Sequence, residues 1–225
     1  MTQNTLKELY NGQYATCYDE THALRRIERL LARMPVRPRD NVADFGCGSG
    51  MLMPFVAPHV NSYTGVDFSR QFIAIADAKR NTLGLTNVMF ECASIDEFCS
   101  GHPGEFDAAF ALDFAEHVLD SDWLHILTAV RTSLVRGGAL FLHTPNRRFF
   151  LEIMKNHNFI VKQFPEHVAV RSVEENTALL VKAGFRISRT LLIPHYNILR
   201  LVHPLSFVPF AGAYFKARIF IEAKA

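Results

Sequence analysis

Cysteine is scarce in this 225-residue sequence, and its four copies follow no recognisable spacing. Cys17, Cys47, Cys92 and Cys99 form neither a CxxC pair nor the spacing of a metal-ligand set. We therefore expect no disulfide framework, and a reducing, cytoplasmic compartment is the expected setting. The first residues also have no basic segment followed by an apolar run, so they predict no secretory signal.

Long apolar runs and an excess of one charge are missing as well. No stretch reaches the roughly 20 uninterrupted apolar residues of a membrane span, and the nearest approach, residues 190–215, is broken by Arg200 and by three prolines. The 24 Lys and Arg nearly balance the 22 Asp and Glu, so we predict no nucleic-acid partner. Residues 190–215 are still apolar enough to predict a peripheral membrane contact or a dimer contact, and both alternatives stay open.

Phenylalanine, in contrast, is abundant, with 19 copies against a single tryptophan. Apolar residues make up 49 % of the chain, which allows a sizeable core and excludes global disorder. Ten of the phenylalanines lie from Phe141 onward. Core packing explains each ring singly, but the bias marks the second half of the chain as a place to meet an apolar ligand or surface.

Short apolar strands alternate with helical segments after a helical start. This alternation predicts an α/β fold with a parallel sheet, right-handed crossovers and helices on both faces. No clear helix separates the last two strands, which predicts an antiparallel pair at the sheet edge with an insertion at its tip. The predicted strands are 41–46, 62–67, 87–92, 106–112, 137–146, 185–193 and 214–225, and the predicted helices are 4–18, 21–34, 51–59, 69–83, 121–135 and 172–183.

The most informative segment is the glycine-rich turn after the first strand, DFGCGSG at 44–50. Glycine lets the backbone turn sharply and lets a ligand approach closely. The second strand ends at Asp67, and in a doubly wound sheet these two strand ends are neighbours where ligands bind. A carboxylate there can accept both hydroxyls of a ribose, so the pattern predicts an adenosine-type ligand.

The spacing of this turn also bears on which adenosine ligand is bound. Asp44 stands two residues before the first glycine of a GxGxG pattern, where its charge would oppose the pyrophosphate of a dinucleotide. The same carboxylate suits a ligand with a cationic end, such as an amino-acid ammonium group. A tight turn that binds nothing is the alternative.

Several segments resemble the class I S-adenosylmethionine-dependent methyltransferases. VADFGCGSG resembles the first motif of that family, GVDFS its second, FDAAFALDFAEHVLD its fourth-strand block and LVRGGALFLHTPN its fifth-strand segment. The resemblance covers residues 40–186. It implies a Rossmann-like, seven-stranded, mostly parallel sheet with an antiparallel last strand, and S-adenosyl-L-methionine as the cofactor.

Matched position by position, the resemblance implies ten cofactor-binding residues. At one of them, Ser94, the family frequently has an aspartate, and Asp96 is the alternative partner for the adenine. The ten are Asp44, Gly46, Cys47, Gly48 and Gly50 at the methionine end, Asp67 at the ribose, Phe68, Ser94 and Ile95 at the adenine, and Leu112 beside the reacting methyl group.

Two histidines lie near the carboxyl ends of the fourth and fifth strands and are the predicted catalytic residues. Methyl transfer from this cofactor needs positioning and the removal of one proton from the acceptor. His117 and His143 lie where the fold places its functional groups, and we prefer His117 as the base. A hydrogen-bonding or capping role is the alternative for each.

Asp113, Glu116 and His117 resemble the E-x-x-E-H segment of the ubiquinone-biosynthesis O-methyltransferases, in which these side chains are associated with a divalent cation. Two carboxylates and an imidazole can hold such an ion. Because many relatives share EHV without a metal, we favour a structural role for these residues and predict no metal.

The sequence as a whole predicts one methyltransferase domain over residues 1–225. Residues 1–39 would form a helical cap, 40–146 the cofactor-binding core, and 147–225 the substrate-side segments with the terminal strand pair. The predicted reaction is methyl transfer to a small apolar or aromatic acceptor, on oxygen. The alternatives are a non-catalytic cofactor-binding protein and, less favoured, a nicotinamide-dependent oxidoreductase.

Overall fold

Strands and helices follow the predicted alternation along the chain. The computed structural model describes residues 20–157, 167–196 and 198–225, and the helix predicted at 4–18 lies outside them. The strands are β1 Asn41–Phe45, β2 Ser62–Asp67, β3 Val88–Cys92, β4 Phe106–Leu112, β5 Leu134–Pro145, β6 Arg186–Ile193 and β7 Arg218–Lys224. The helices are α1 Glu20–Leu31, α2 Met53–Val56, α3 Arg70–Leu83, α4 Ile95–Gly101, α5 Asp120–Ser133, α6 Phe150–Asn156 and α7 Val173–Lys182. Short 3-10 turns occur at Ala57–His59, Ala115–His117, Ile198–Phe207 and Gly212–Phe215.

Seven strands form one sheet within the described residues, in the order β3-β2-β1-β4-β5-β7-β6. The first five strands pair in parallel, whereas β7 runs antiparallel to both of its neighbours, β5 and β6. This confirms the predicted Rossmann-like sheet with an antiparallel last strand. Because parallel strands share one direction, the carboxyl ends of β1 to β4 meet at one edge, where the strand order reverses beside β1.

Helices pack on both faces of the sheet. On one face, Phe45 of β1 packs in a cluster with Trp123 of α5 and Leu180 of α7. On the other face, Leu30 of α1 packs in a cluster with Phe141 of β5. β4 contributes to both clusters and is buried along nearly its whole length, which explains why its sequence is almost wholly apolar rather than alternating.

Some boundaries differ from the predictions for local reasons. β5 begins at Leu134 instead of 137, because α5 passes directly into the strand. β7 begins at Arg218 instead of 214, because the preceding residues form a 3-10 turn. α4 and α6 were not predicted, since seven residues are too few to show a helical period. None of the helices in the described ranges combines the length and apolarity that crossing a bilayer requires.

Candidate active site

A cavity of about 380 Å³ opens at the carboxyl edge of the sheet. It is bounded by the loops after β1, β2, β3 and β4 and by one side of α1. A volume of this size suits a small organic ligand. Of the ten residues predicted to bind the cofactor, Gly50 does not line the cavity. The nine that do are Asp44, Gly46, Cys47, Gly48, Asp67, Phe68, Ser94, Ile95 and Leu112.

Glycine is required at two positions of the turn after β1, for different reasons. Gly46 has a φ of 70°, and a Cβ there would lie 2.6 Å from Cδ2 of Phe114, a cavity residue. Gly50 has a φ of 69°, and a Cβ there would lie 3.1 Å from Cβ of Ala76 in α3. Gly46 therefore shapes the cavity, whereas Gly50 lies behind it and lets the turn pack on α3.

Asp67, at the end of β2, is hydrogen-bonded to the turn after β1 and to the turn after its own strand. Its Oδ2 accepts a hydrogen bond from the Gly48 N–H at 3.0 Å, and its Oδ1 accepts one from the Ser69 N–H at 2.8 Å. Burial raises the pKa of this carboxyl, and the two N–H donors oppose that rise. Each oxygen retains acceptor capacity for a ligand hydroxyl.

Asp44 is a buried carboxyl at the base of the cavity. The Tyr63 hydroxyl donates a hydrogen bond to its Oδ2. Burial raises the pKa of Asp44 to about 7, the Tyr63 hydrogen bond lowers it, and the nearby Asp67 charge raises it further. A cationic ligand group beside Asp44 would favour the ionised carboxylate.

Both side chains that the sequence predicts as alternative partners for an adenine lie at the cavity. Ser94 and Asp96 line it together. Burial raises the pKa of Asp96, but hydrogen bonds from the Ser94 side chain and from backbone N–H groups, together with the charge of His125, lower it below the usual value. Both side chains are therefore placed to accept a hydrogen bond from a ligand amine.

Asp113 follows β4 and is held by two arginines from distant parts of the chain. It adopts a left-handed φ of 52°, and its N–H donates to the His143 carbonyl at 2.8 Å. Its Oδ2 lies 2.6 Å from Nη1 of Arg26 in α1, and its Oδ1 lies 2.8 Å from Nη1 of Arg218 in β7. Burial opposes ionisation, but the charges of Arg26, His143 and Arg218 hold the pKa of Asp113 well below its usual range.

His143 lies outside the cavity, behind Asp113. Its side chain is fully buried, and its Nδ1 lies 3.1 Å from Oδ1 of Asp113. Its Nε2 lies 2.7 Å from the Tyr196 hydroxyl. Burial lowers the pKa of His143, with Asp113 acting in the opposite direction. His143 therefore reaches the site through Asp113, without lining the cavity itself.

His117 does line the cavity, in the 3-10 turn after β4. Its ring lies edge-to-face against His167, with centroids 5.0 Å apart. Burial, followed by the effect of His117, lowers the pKa of His167 to about 3. Glu116 precedes His117 in the chain. Burial and the charge of Asp113 raise its pKa to about 8. The Thr144 hydroxyl donates a hydrogen bond to its Oε2 at 3.0 Å.

The residues around His117 do not form the ligand set that the E-x-x-E-H resemblance implies. Each carboxylate oxygen of Asp113 already pairs with a guanidinium group. Glu116, His117 and His167 do converge, with ligand atoms within 4.8 Å of one another. Because both oxygens of Asp113 pair with arginines, the set of Asp113, Glu116 and His117 does not fit a metal. The predicted absence of a metal stays a prediction.

The sequence motifs assign no role to several of the residues that line the cavity. Arg26 and Leu30 come from α1, and their approach to the site depends on how that helix packs against the sheet. An apolar wall lies near His117. Its members are Phe114, Val118, Leu119 and Ile126.

The fold and this site have the arrangement of a class I S-adenosylmethionine-dependent methyltransferase domain. Residues 18–190 match a family model described as a methyltransferase domain. That match covers more than half of the chain, and the protein belongs to this family.

Curated relatives carry the name ubiquinone biosynthesis O-methyltransferase. The protein of Xanthomonas campestris pv. campestris is 32 % identical over 128 residues, which are 56 % of this chain and 52 % of the relative. The protein of Aromatoleum aromaticum is 32 % identical over 171 residues, which are 73 % of this chain and 71 % of the relative. The chain thus spans about half the length of the Xanthomonas relatives that it matches.

Solved structures share the fold over nearly the whole chain. Magnesium protoporphyrin IX methyltransferase from Synechocystis, with bound S-adenosylhomocysteine, has a TM-score of 0.70 at 16 % identity, with 99 % of each chain covered. The [4+2]-cyclase SpnF has a TM-score of 0.70 at 18 % identity, covering 95 % of this chain and 85 % of that one. At such identities the likeness shows the fold alone.

Proposed function

We propose that the protein methylates an oxygen atom of a small apolar or aromatic acceptor, with His117 as the base. The observation that carries the proposal is the cavity wall itself, where an imidazole stands among apolar side chains near Leu112. The relatives named as O-methyltransferases support oxygen as the methylated atom. The near-balanced charge of the chain supports a small molecule rather than a nucleic acid.

Different residues of this chain would contact different parts of the cofactor. Asp44 would face the ammonium end, Asp67 the ribose hydroxyls, and Ser94 or Asp96 the adenine amine. When bound, the cofactor supplies a methyl group that is already activated on a sulfonium. His117 would accept the proton of the acceptor hydroxyl as that oxygen takes the methyl group.

His143 has a positioning role in this proposal. It holds Asp113 from behind, and Tyr196 fixes its ring from the other side. Asp113 lines the cavity, so its orientation affects the surface that the acceptor meets. His143 therefore acts through Asp113 and does not touch the reacting atoms.

Replacing His117 with alanine is expected to lower kcat about 100-fold or more, the usual contribution of a general base. The affinity for S-adenosylhomocysteine should stay the same, because other residues hold the cofactor. Transfer of labelled methyl groups to a panel of phenols, catechols and quinols measures the first quantity, and calorimetry measures the second. His59→Ala, a change at an exposed histidine, is the matched control. Full activity in His117→Ala would contradict the assignment, and a wild-type protein that binds cofactor without methylating any acceptor would favour the non-catalytic alternative.

The affinity for S-adenosylhomocysteine is expected to fall in mild acid because of Asp44. Burial raises the pKa of this carboxyl to about 7, so it is ionised above that pH and takes up a proton below it. A cationic ligand end needs the ionised form, so affinity should drop by about tenfold for each pH unit below 7. Calorimetry across this range should show the slope in the wild-type protein and not in Asp44→Asn. An affinity that rises in acid, or stabilisation by NAD without stabilisation by S-adenosylhomocysteine, would contradict this assignment and favour the dinucleotide alternative.

A further inference from the structure

The segment that joins β6 to β7, residues 194–217, concentrates apolar side chains at the surface. We call it the β6–β7 insertion. Among the described residues, six of the eleven exposed large apolar side chains belong to it. Phe207 is 82 % exposed and Phe210 is 103 % exposed, so neither ring contributes to the core. The six are Leu201, Leu205, Phe207, Val208, Phe210 and Tyr214.

Local structure holds these side chains in place. The insertion contains two 3-10 turns, and the Val208 N–H donates to the Leu205 carbonyl at 3.0 Å. The Gly212 N–H donates to the Val208 carbonyl at 2.9 Å, and a Cβ on Gly212 would collide with the Ser206 carbonyl. Phe210 itself has a left-handed φ of 65°. The backbone therefore fixes an apolar surface toward solvent, and a grouped surface of this kind marks an interaction site.

The charge of this part of the chain selects the kind of partner. No acidic residue occurs between Glu175 and Glu222, while Arg200 and Lys216 both lie in the insertion. In a two-fold dimer through this surface, the same positive groups would approach each other. An anionic lipid surface offers the complementary charge together with an apolar layer for the phenylalanine rings.

The insertion leaves the sheet at the edge where the cavity opens. Arg218 at the start of β7 pairs in register with Pro145 at the carboxyl end of β5. Asp113 and the side chains that pair with it, Arg26, Arg218 and His143, are called the Asp113 group. The insertion is tied to this group at both ends: Tyr196, near its start, contacts His143, and Arg218, which follows its last residue, contacts Asp113. A surface bound by the insertion would therefore lie next to the edge of the sheet that holds the cavity.

We propose that the β6–β7 insertion docks the protein on an anionic lipid bilayer, with Phe207 and Phe210 entering the headgroup region. Arg200 and Lys216 contribute attraction to the lipid headgroups. The proposal deepens the proposed function, because an apolar acceptor dissolved in the bilayer would then be presented at the cavity edge. Docking itself requires neither cofactor nor acceptor.

Flotation of the full chain with lipid vesicles tests the docking directly. We expect the protein to float with vesicles of phosphatidylcholine containing about one third phosphatidylglycerol, and much less with phosphatidylcholine alone. Replacing both Phe207 and Phe210 with serine should weaken binding about a hundredfold. The matched control is Leu83→Ser with Val181→Ser, which removes two exposed apolar side chains elsewhere and should leave binding unchanged. Arg200→Glu with Lys216→Glu should abolish the preference for anionic lipid.

Three outcomes would overturn the proposal. The first is wild-type protein that does not float, and the second is a double serine variant that floats as well as the wild type. The third is a dimer in sedimentation that the serine variant dissociates without any vesicle binding, which would assign the surface to a second copy. Methyl transfer to a water-soluble phenol should be the same in the serine variant and in the wild type, so loss of docking and failure of the proposed reaction are distinguishable.

Discussion

Replacing Asp67 with alanine is expected to weaken the binding of S-adenosylhomocysteine about a hundredfold. The carboxylate stands at the cavity edge and is 9 % exposed. Gly48 and Ser69 use one acceptor position on each of its oxygens, and a carboxylate has about four such positions. Two hydrogen bonds from ribose hydroxyls to a charged group, at about 1.5 kcal/mol each, amount to about 3 kcal/mol, or roughly a hundredfold in affinity.

The cause of that loss can be separated from damage to the loops. Calorimetry with S-adenosylhomocysteine gives the size of the effect, and a comparison of adenosine with its dideoxy analogue tests the ribose contact. The wild-type protein should prefer adenosine, whereas Asp67→Ala should bind both nucleosides equally. Asp40→Ala is the matched control. Asp40 also accepts a hydrogen bond from a backbone N–H, that of Arg37, but it lies at the opposite end of β1 from the cavity. Preserved discrimination between the two nucleosides in Asp67→Ala would rule out the ribose assignment.

The part of the cavity around Asp44 and Asp67 could be predicted because these residues lie near strand ends. Once a parallel sheet is recognised, Asp44 near the end of β1 and Asp67 at the end of β2 must lie at neighbouring positions, and the register pairs Asp44 with Gly65, two residues before Asp67. The number of residues between them in the chain then does not matter, because the strand order places the two strand ends side by side. The family resemblance, in contrast, indicates Ser94 after β3 and Leu112 at the end of β4.

Contacts that depend on packing between distant segments could not be predicted in this way. Arg26 reaches Asp113 because α1 packs over the sheet edge, and Arg218 reaches it because β7 enters between β5 and β6. His143 lies near the end of the predicted strand, yet its ring is buried between Asp113 and Tyr196. Gly50 shares the motif spacing of its neighbours, but its backbone packs on α3 instead of facing the cavity.

Replacing Asp113 with asparagine is expected to lower the free energy of unfolding by about 3 kcal/mol, because removing one partner from a buried ion pair leaves an uncompensated charge. Here two guanidinium groups, on side chains only 15 % and 17 % exposed, would face each other across a neutral amide. Asparagine tolerates the left-handed backbone that Asp113 adopts, so the substitution tests charge and not backbone strain. The anchoring of α1 and β7 to the cavity edge should weaken together.

Urea denaturation measures this loss, with Asp77→Asn as the control. Asp77 pairs with Arg80 on the surface of α3, where such a pair contributes at most about 1 kcal/mol. The pKa of Asp113 is lower in the folded protein than in the unfolded chain. The stabilisation that its charge contributes is therefore present above the unfolded pKa and is lost as pH falls through the folded pKa. The difference in unfolding free energy between wild type and Asp113→Asn should be constant near neutrality and shrink in acid.

In an Arg218→Met background, Asp113→Asn should lower the free energy of unfolding by less, because one of the two unpaired charges is gone. A loss no larger than that of Asp77→Asn would mean that solvent screens both guanidinium groups, and the Asp113 group would then not fix α1 and β7 against the cavity.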